Sequence, residues 1–238
     1  MFKKLKRPLF NLTFLFLCIL LFYSISPAQD LSPRNKIGIT TQAILPLGNL
    51  GDWYGLTPNF GATNLFLLSS KLNIEIEYGY ARYLNGSIEE KTFFWPVDKT
   101  NYLSPQAEAY MNFHRFLVSF YFIKKEKLIF GKTISPFLSV GSGFYAFNNK
   151  VSGLIYPGQG VKPLDQTLLL PSVSDNQVSI GANFGAGFDL KLVNKLSLNF
   201  FLRYHMILGT IRSFEDWGLK EVLPLQLLDF GLGVHYAL

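Results

Sequence analysis

Residues 225–238, LQLLDFGLGVHYAL, decide the fold of this chain. Two sets of side chains alternate along the stretch. The apolar set is Leu228, Phe230, Leu232, Val234, Tyr236 and Leu238, and the small or polar set is Asp229, Gly231, Gly233, His235 and Ala237. A period of two predicts a β-strand with one apolar face. We expect such a strand to close a membrane barrel, because closure leaves no unpaired edge and lipid favours an apolar outer row.

The first 28 residues predict export. A basic start precedes an apolar run from Leu9 to Tyr23, and the small residues Ser26 and Ala28 precede Gln29. This pattern predicts a Sec-type signal peptide over residues 1–28, followed by one β-barrel domain over residues 29–238. An uncleaved anchor is the less favoured alternative, because a spanning helix needs roughly 20 apolar residues. The one cysteine lies within the apolar run, so disulfides and thiol catalysis are excluded from the predicted domain.

The composition favours a membrane barrel over a soluble domain. The net charge of +6 includes four basic residues in positions 1–28, where there are no acidic ones, so the predicted domain carries +2 and nucleic acid is not an expected partner. Charged residues are 16% of the chain, against roughly 25% in typical soluble proteins. Aromatic residues also make up 16%, with 23 Phe and 12 Tyr. Low charge and many aromatic side chains, with no further run long enough for a membrane helix, suit a barrel that faces lipid.

Eight segments of the predicted domain have strand character, and the connections between them alternate in length. The predicted strands are 36–45, 60–68, 72–84, 109–123, 134–147, 177–191, 196–208 and 225–238. The short connections are 69–71, 124–133 and 192–195, and the long ones are 46–59, 85–108, 148–176 and 209–224. The sequence therefore predicts an all-β fold, an eight-stranded antiparallel up-and-down transmembrane β-barrel with short periplasmic turns and long extracellular loops. The facing of 60–68 is left open, because both of its faces carry apolar residues.

Alternation alone also suits a soluble, lipocalin-like barrel with its apolar face inward. Other features favour the membrane barrel. Glycine and other small residues dominate the polar face of two strands, as a narrow lumen requires. Tyrosines lie near strand ends on the apolar face, where the aromatic girdles of membrane barrels are found. The soluble periplasmic binding barrel remains an alternative at this point.

Four stretches resemble a known family. They are Pro136–Phe144, Gly181–Phe188, Leu196–Tyr204 and the glycine-rich last strand. Together they are similar to the OmpA-like superfamily of eight-stranded outer-membrane barrels, which includes OmpX, Opa-type and PorT-like proteins. The resemblance covers residues 36–238 and implies an outer-membrane location in a Gram-negative cell envelope. No segment follows the predicted barrel, so we expect no peptidoglycan-binding domain. It also implies that Gly233, Tyr236 and Leu238 form a signal for the barrel-assembly machinery, although this signal usually ends in Phe.

The lumen of such a barrel is expected to hold a polar network. Seven side chains of mixed charge are candidates: Glu75, Glu77, Arg115, Asp189, Arg203, His205 and Asp229. An eight-stranded barrel is wide enough for its own side chains or one small ligand. Charges removed from water need partners, so we expect ion pairs that fix the barrel. A narrow ion or solute channel gated by these pairs is the alternative.

Catalysis is not expected, although outer-membrane lipid-modifying enzymes with a Ser–His–carboxylate site are an alternative. None of His114, His205 and His235 has Ser two residues later, the local spacing of the deacylases. No His/Asp/Glu cluster has metal-ligand spacing, and no cofactor motif is present, so no catalytic, metal or cofactor residues are predicted. We expect a non-catalytic structural or adhesin-like role. The partners would be outer-membrane lipid and an extracellular ligand or surface bound through the long loops, which carry aromatic residues.

Overall fold

The computed structural model describes residues 35–84, 87–129, 131–211 and 224–238. In chain order the strands are β1 (Asn35–Leu47), β2 (Thr57–Leu67), β3 (Leu72–Tyr83), β4 (Thr92–Trp95), β5 (Thr100–Leu103), β6 (Glu108–Ile123), β7 (Lys127–Ile129), β8 (Lys132–Ser152), β9 (Val173–Val193), β10 (Leu196–Ile207) and β11 (Leu225–Ala237). Within these ranges, no helix is long and apolar enough to cross a membrane.

Eight of the strands form a closed barrel. The sheet runs β1–β2–β3–β6–β8–β9–β10–β11, and all neighbouring pairs are antiparallel. The first and last strands complete the ring, with Gly38 opposite His235 and Ala43 opposite Phe230. Each barrel strand therefore has a hydrogen-bonded neighbour on both sides. The predicted eight-stranded antiparallel barrel is confirmed.

The two faces of the barrel differ in polarity as the alternation predicts. In β11, Phe230 and Tyr236 point outward and are 52% and 46% exposed, whereas Asp229 points inward and is fully buried. Strand β9 likewise has an apolar outward face and a polar inward face, since Phe184 is 58% exposed and Asn183 is buried. A soluble barrel would place these apolar rows in its interior. The arrangement is that of a barrel with an apolar outer wall.

The structure shows which side chains of β2 point into the barrel, a question that the sequence left open. Thr57, Asn59, Thr63 and Leu65 point inward and are buried, and Phe60 is exposed on the outside. Leu65 belongs to a small apolar cluster inside the barrel with Tyr121, Phe137 and Phe201. Apolar residues on both parities of this strand therefore reflect an apolar layer inside the lumen.

Several predicted boundaries were wrong, because the strands extend into the predicted loops. Strands β8 and β9 include 148–152 and 173–176, so the connection predicted as 148–176 spans 153–172. Strands β1 and β2 likewise shorten the connection predicted as 46–59 to 48–56. The connection 85–108 is not without structure, since β4 and β5 form a hairpin in it and Glu108 begins β6. The short connection 124–133 contains β7, which pairs with the first residues of β8.

The described parts of the long connections pack over one end of the barrel, which we call the loop end. The opposite end, with the short turns, is the turn end. Trp53 and Tyr54 from the first long connection, and Phe93 and Trp95 from β4, are buried. They join inward residues of the strands, such as Met111, in one apolar cluster. The predicted signal peptide, residues 1–28, and most of the connection 209–224, including Trp217, lie outside the described residues.

Candidate functional site

The centre of the lumen holds a network of buried charges around Arg115 of β6. The Arg115 side chain is fully buried and donates to Glu77 on β3, with Nη2 2.6 Å and Nε 3.0 Å from Glu77 Oε1. Its guanidinium also donates to Asp229 on β11 and to Gln42 on β1. One arginine thus links four strands across the interior, including the first and last strands of the ring.

Arg203 of β10 forms the second centre of this network. Its Nη1 lies 2.7 Å from Glu77 Oε2, and its Nη2 lies 3.1 Å from Glu75 Oε1 and 2.8 Å from the Tyr121 hydroxyl. Tyr121 donates in turn to Glu75 Oε1 over 2.6 Å. Glu77 therefore accepts from both arginines, through separate oxygens. Such pairing offsets the several kcal/mol that removing each charge from water costs.

A third group extends the network toward the loop end. His205 Nε2 lies 3.0 Å from Asp229 Oδ2, and His205 Nδ1 lies 2.8 Å from the Tyr145 hydroxyl. All three side chains are fully buried. The chain Tyr145–His205–Asp229–Arg115 is continuous with the two arginine centres.

The structure brings six of the seven predicted lumen residues into this one network. Asp189 is also buried but lies apart, where it accepts from Asn199 Nδ2 over 2.8 Å. Nearer the turn end, His235 Nε2 lies 3.1 Å from the Thr63 hydroxyl. No hydrogen bond joins Asp189 to the arginine centres in the described part of the chain.

Three members of the network were not anticipated from the sequence: Gln42, Tyr121 and Tyr145. Gln42 Nε2 donates to Glu77 Oε1 over 3.1 Å, so it fills space between the charges. Each lies at a strand position that alternation assigns to the inward face, and this parity is the sequence signal that could identify them as lumen residues. Their uncharged side chains gave no reason to place them with the ion pairs.

Apolar layers close the lumen on both sides of the charges. On the loop side, the cluster that contains Trp53, Tyr54, Phe93 and Trp95 fills the barrel mouth. On the turn side, the cluster of Leu65, Tyr121, Phe137 and Phe201 packs across the interior, with the Tyr121 and Phe137 ring centroids 4.6 Å apart. The described side chains therefore form buried apolar clusters on both sides of the network.

The loop end carries polar interactions of its own. Trp95 Nε1 donates to the Gln159 carbonyl over 2.8 Å, which ties the β4–β5 hairpin to the connection between β8 and β9. Burial raises the pKa of the Tyr54 phenol, which donates to Asn149. On the solvent side, hydrogen bonds from the Thr167 hydroxyl and backbone N–H hold the pKa of the Asp165 carboxyl below its ordinary value. These contacts join described parts of the loop end to one another and to β8.

The three histidines have different surroundings, none of them a serine-based catalytic site. His205 contacts Tyr145 and Asp229 under the apolar mouth, His235 contacts Thr63, and His114 lies on the outer face with Nδ1 2.9 Å from the Tyr78 hydroxyl. Among the described residues, none of these rings is hydrogen-bonded to a serine. The Ser–His–carboxylate arrangement that the enzyme alternative requires is therefore not formed around these histidines within the described part of the chain.

Comparison with solved structures places this architecture among known proteins. A major outer membrane protein of Thermus thermophilus superimposes with a TM-score of 0.51 at 11% identity, over 86% of this chain and 99% of that chain. This chain has the fold of the eight-stranded outer-membrane β-barrels. Two other solved structures are also similar. Neisserial surface protein A has a TM-score of 0.49 at 13% identity, over 88% of this chain and 100% of that chain. OprG of Pseudomonas aeruginosa has a TM-score of 0.47 at 12% identity, over 87% of this chain and 98% of that chain.

Comparison by sequence gives no family assignment. No known protein family matches this chain, and no curated protein matches it either. At 11% identity, the similarity to the Thermus thermophilus protein establishes the fold alone. The function has to be argued from the residues themselves.

Proposed function

We propose that this protein is an integral outer-membrane barrel with a closed, ion-paired lumen, and that its role is non-catalytic, in envelope structure or surface interaction. The observation that carries the proposal is the inverted distribution of polarity. Arg115, Arg203, Glu77 and Asp229 are buried inside, while residues such as Phe184 are exposed outside. Water would favour the opposite arrangement, whereas lipid favours this one.

The closed lumen favours a structural role over transport. Both guanidinium groups are held by carboxylates on other strands, and apolar layers lie above and below them. An ion crossing the barrel would have to displace both the ion-paired side chains and the apolar side chains on either side of them. We therefore propose that Glu75, Glu77, Arg115, Arg203, His205 and Asp229 fix the relative positions of the strands, with Asp189 and Asn199 serving the same purpose nearer the turn end.

The ends of the barrel give it a direction in the membrane. We propose that the turn end lies in the periplasm and the loop end outside the cell, after export through the signal peptide of residues 1–28. Gly233, Tyr236 and Leu238 would be read by the barrel-assembly machinery; Tyr236 and Leu238 are exposed on the outer wall, as such a signal requires. At the loop end, Phe94, Leu103 and Val161 are exposed apolar residues available to a surface or ligand.

Cell fractionation with heat-modifiable gel mobility tests the membrane assignment. The full-length chain is expressed in a Gram-negative host, and the envelope is washed with alkaline carbonate. We expect the protein to stay in the outer-membrane fraction and to migrate faster in unboiled samples than in boiled ones, because a closed barrel resists detergent unfolding. Recovery in the soluble periplasmic fraction without a mobility shift would refute the proposal.

A further inference from the structure

A polar row crosses the outer wall of the barrel on the loop side of its apolar surface. It consists of Arg82, Asn112, Asn148 and Asn176, which lie side by side on β3, β6, β8 and β9. All four point outward, because the residues next to them, such as Tyr83, Phe113 and Asn149, are buried inside. Two outward rows nearer the turn end, the wall is apolar again, with Tyr78, Phe116, Phe144 and Ile180 side by side.

An open cavity of about 760 Å³ lies at this boundary. Its lining includes Tyr80, Asn112, His114, Ala146, Asn148 and Asn176. Strands β1 and β10 have no matching polar row on the opposite wall, where Leu45 and Met206 are exposed near the loop end. The polar lining of the cavity is therefore specific to four strands, since the outer wall does not become polar at this height on every strand.

The hydrogen bonds around the cavity engage the side-chain oxygens of Asn112 and Asn148 and leave their amide nitrogens available as donors. The Tyr80 hydroxyl donates to Asn112 Oδ1 over 3.1 Å, and the Ser174 hydroxyl donates to Asn148 Oδ1 over 3.3 Å. The amide nitrogens of Asn112 and Asn148 have no hydrogen-bond partner among the described residues. Two asparagine N–H₂ groups on adjacent strands can thus donate to one ligand.

Two cations flank these donors. Arg82 ends the polar row, with its guanidinium carbon 5.2 Å from the centre of the Tyr110 ring. Lys150 lies opposite Tyr110 on β8, one outward row nearer the loop end. Two carboxylates lie nearby: Glu108 points outward at the loop end of β6, and Asp175 has the inward parity of β9 and accepts from Gln177 Nε2 over 3.0 Å. Amide donors with flanking cations suit the oxygens of a phosphate group.

We propose that this cavity binds the phosphate-bearing headgroup of an outer-leaflet lipid. The inference rests on the proposed function, because it requires the apolar wall to lie in the membrane. A headgroup at Asn112 and Asn148 would leave its acyl chains over Phe116 and Phe144, which continue directly below on the same strands. This apolar track favours a lipid over free phosphate, and Tyr80, which lines the cavity, lies where tyrosines are found at headgroup level.

Native mass spectrometry of the full-length protein tests the inference. The protein is released from neutral detergent after incubation with bis-phosphorylated lipid A or with the same lipid lacking both phosphates. We expect at least tenfold greater retention of the phosphorylated lipid. The variant N112D/N148D, which places carboxylates at the two donors, is expected to lose this preference. Gln226→Glu is the matched control, because this outward amide on β11 accepts from Tyr204 and lies away from the cavity.

The possible results distinguish failure of the lipid-site inference from failure of the proposed function. Equal retention of the two lipids, or an unchanged preference in N112D/N148D, would overturn the inference while leaving the membrane assignment intact. Competition by millimolar inorganic phosphate as strong as that by the lipid would also overturn it, in favour of a free-phosphate site. Failure of the wild-type protein to show heat-modifiable mobility would instead refute the proposed function. If N112D/N148D does not fold, Arg82→Gln with Lys150→Gln takes its place, with the same expected loss.

Discussion

Arg203 Nη1 and Glu77 Oε2 lie 2.7 Å apart at the centre of the barrel, although the two residues are 126 positions apart in the chain. Glu77 also accepts from Arg115 through its other oxygen. The contact therefore couples β10 to β3 and, through Glu77, to β6. A lumen crossed by such pairs can hold its strands in one register between the apolar clusters on either side.

Removal of the Arg203 guanidinium is expected to destabilise the barrel strongly. Arg203→Met leaves Glu75 without its arginine partner and Glu77 with only one, and breaking a buried pair costs about 3–5 kcal/mol. Urea unfolding in phospholipid vesicles, followed by tryptophan fluorescence, measures the loss. Lys125→Ala is the control, because that cation is exposed in the short connection between β6 and β7, and it should change the free energy of unfolding by less than about 1 kcal/mol.

The two central glutamates should differ in their contribution. Glu77→Gln is expected to cost more than Glu75→Gln, because Glu77 pairs with both arginines and Glu75 only with Arg203. Each extra unpaired buried charge adds a cost of order 1–3 kcal/mol. The same unfolding measurement ranks the two variants. Equal losses would show that the second pairing of Glu77 contributes nothing.

Gly231 permits the close approach of Phe201 inside the lumen. A Cβ atom added at Gly231 would lie 2.0 Å from Phe201 Cζ, so Gly231→Ala overpacks the interior and is expected to cost about 1–3 kcal/mol. Phe201→Leu in the same chain should recover part of the loss by making room. Gly55→Ala is the control, because no atom lies within 4 Å of its added Cβ. A Gly231→Ala barrel as stable as the wild type would contradict tight packing of Phe201 against this glycine.

The closed lumen predicts very low conductance. The purified protein in a planar lipid bilayer should show no discrete single-channel steps, because the apolar layers flank the ion pairs on both sides. Trp95→Ala with Phe93→Ala opens the loop-side layer and leaves the charges in place. If the wild type conducts in discrete steps that Arg203→Met alters, the channel alternative replaces the structural role.

The sequence predicted the barrel well because alternation reports directly which face of a strand is apolar. In β10 every outward residue from Leu196 to Met206 is apolar, and the predicted bounds of β10 and β11 agree with the structure to within a residue. It was least informative in β2, where Leu65 joins an apolar layer inside the lumen while Phe60 faces out. The extra length of β8 and β9 was also missed, because residues 148–152 and 173–176 are polar enough to resemble loops.

The candidate network could be anticipated only in part. Parity indicated which charged residues point inward, but it could not say which of them meet, since that depends on the register of strands far apart in the chain. Asp189 has the expected facing and yet lies away from both arginines, beside Asn199. The neutral partners Gln42 and Tyr121 carry no charge that would have singled them out.

The central claim is that the outward apolar wall faces lipid, and spin labelling tests it most directly. A nitroxide is attached to Phe184→Cys or to Val161→Cys in a Cys18→Ser background, and the protein is reconstituted in phospholipid vesicles. Phe184 is 58% exposed on β9, and Val161 is 78% exposed in the connection between β8 and β9. We predict that membrane-dissolved oxygen relaxes the label at 184 and that a water-soluble nickel chelate relaxes the label at 161. Equal access of the nickel chelate to both labels would contradict the account.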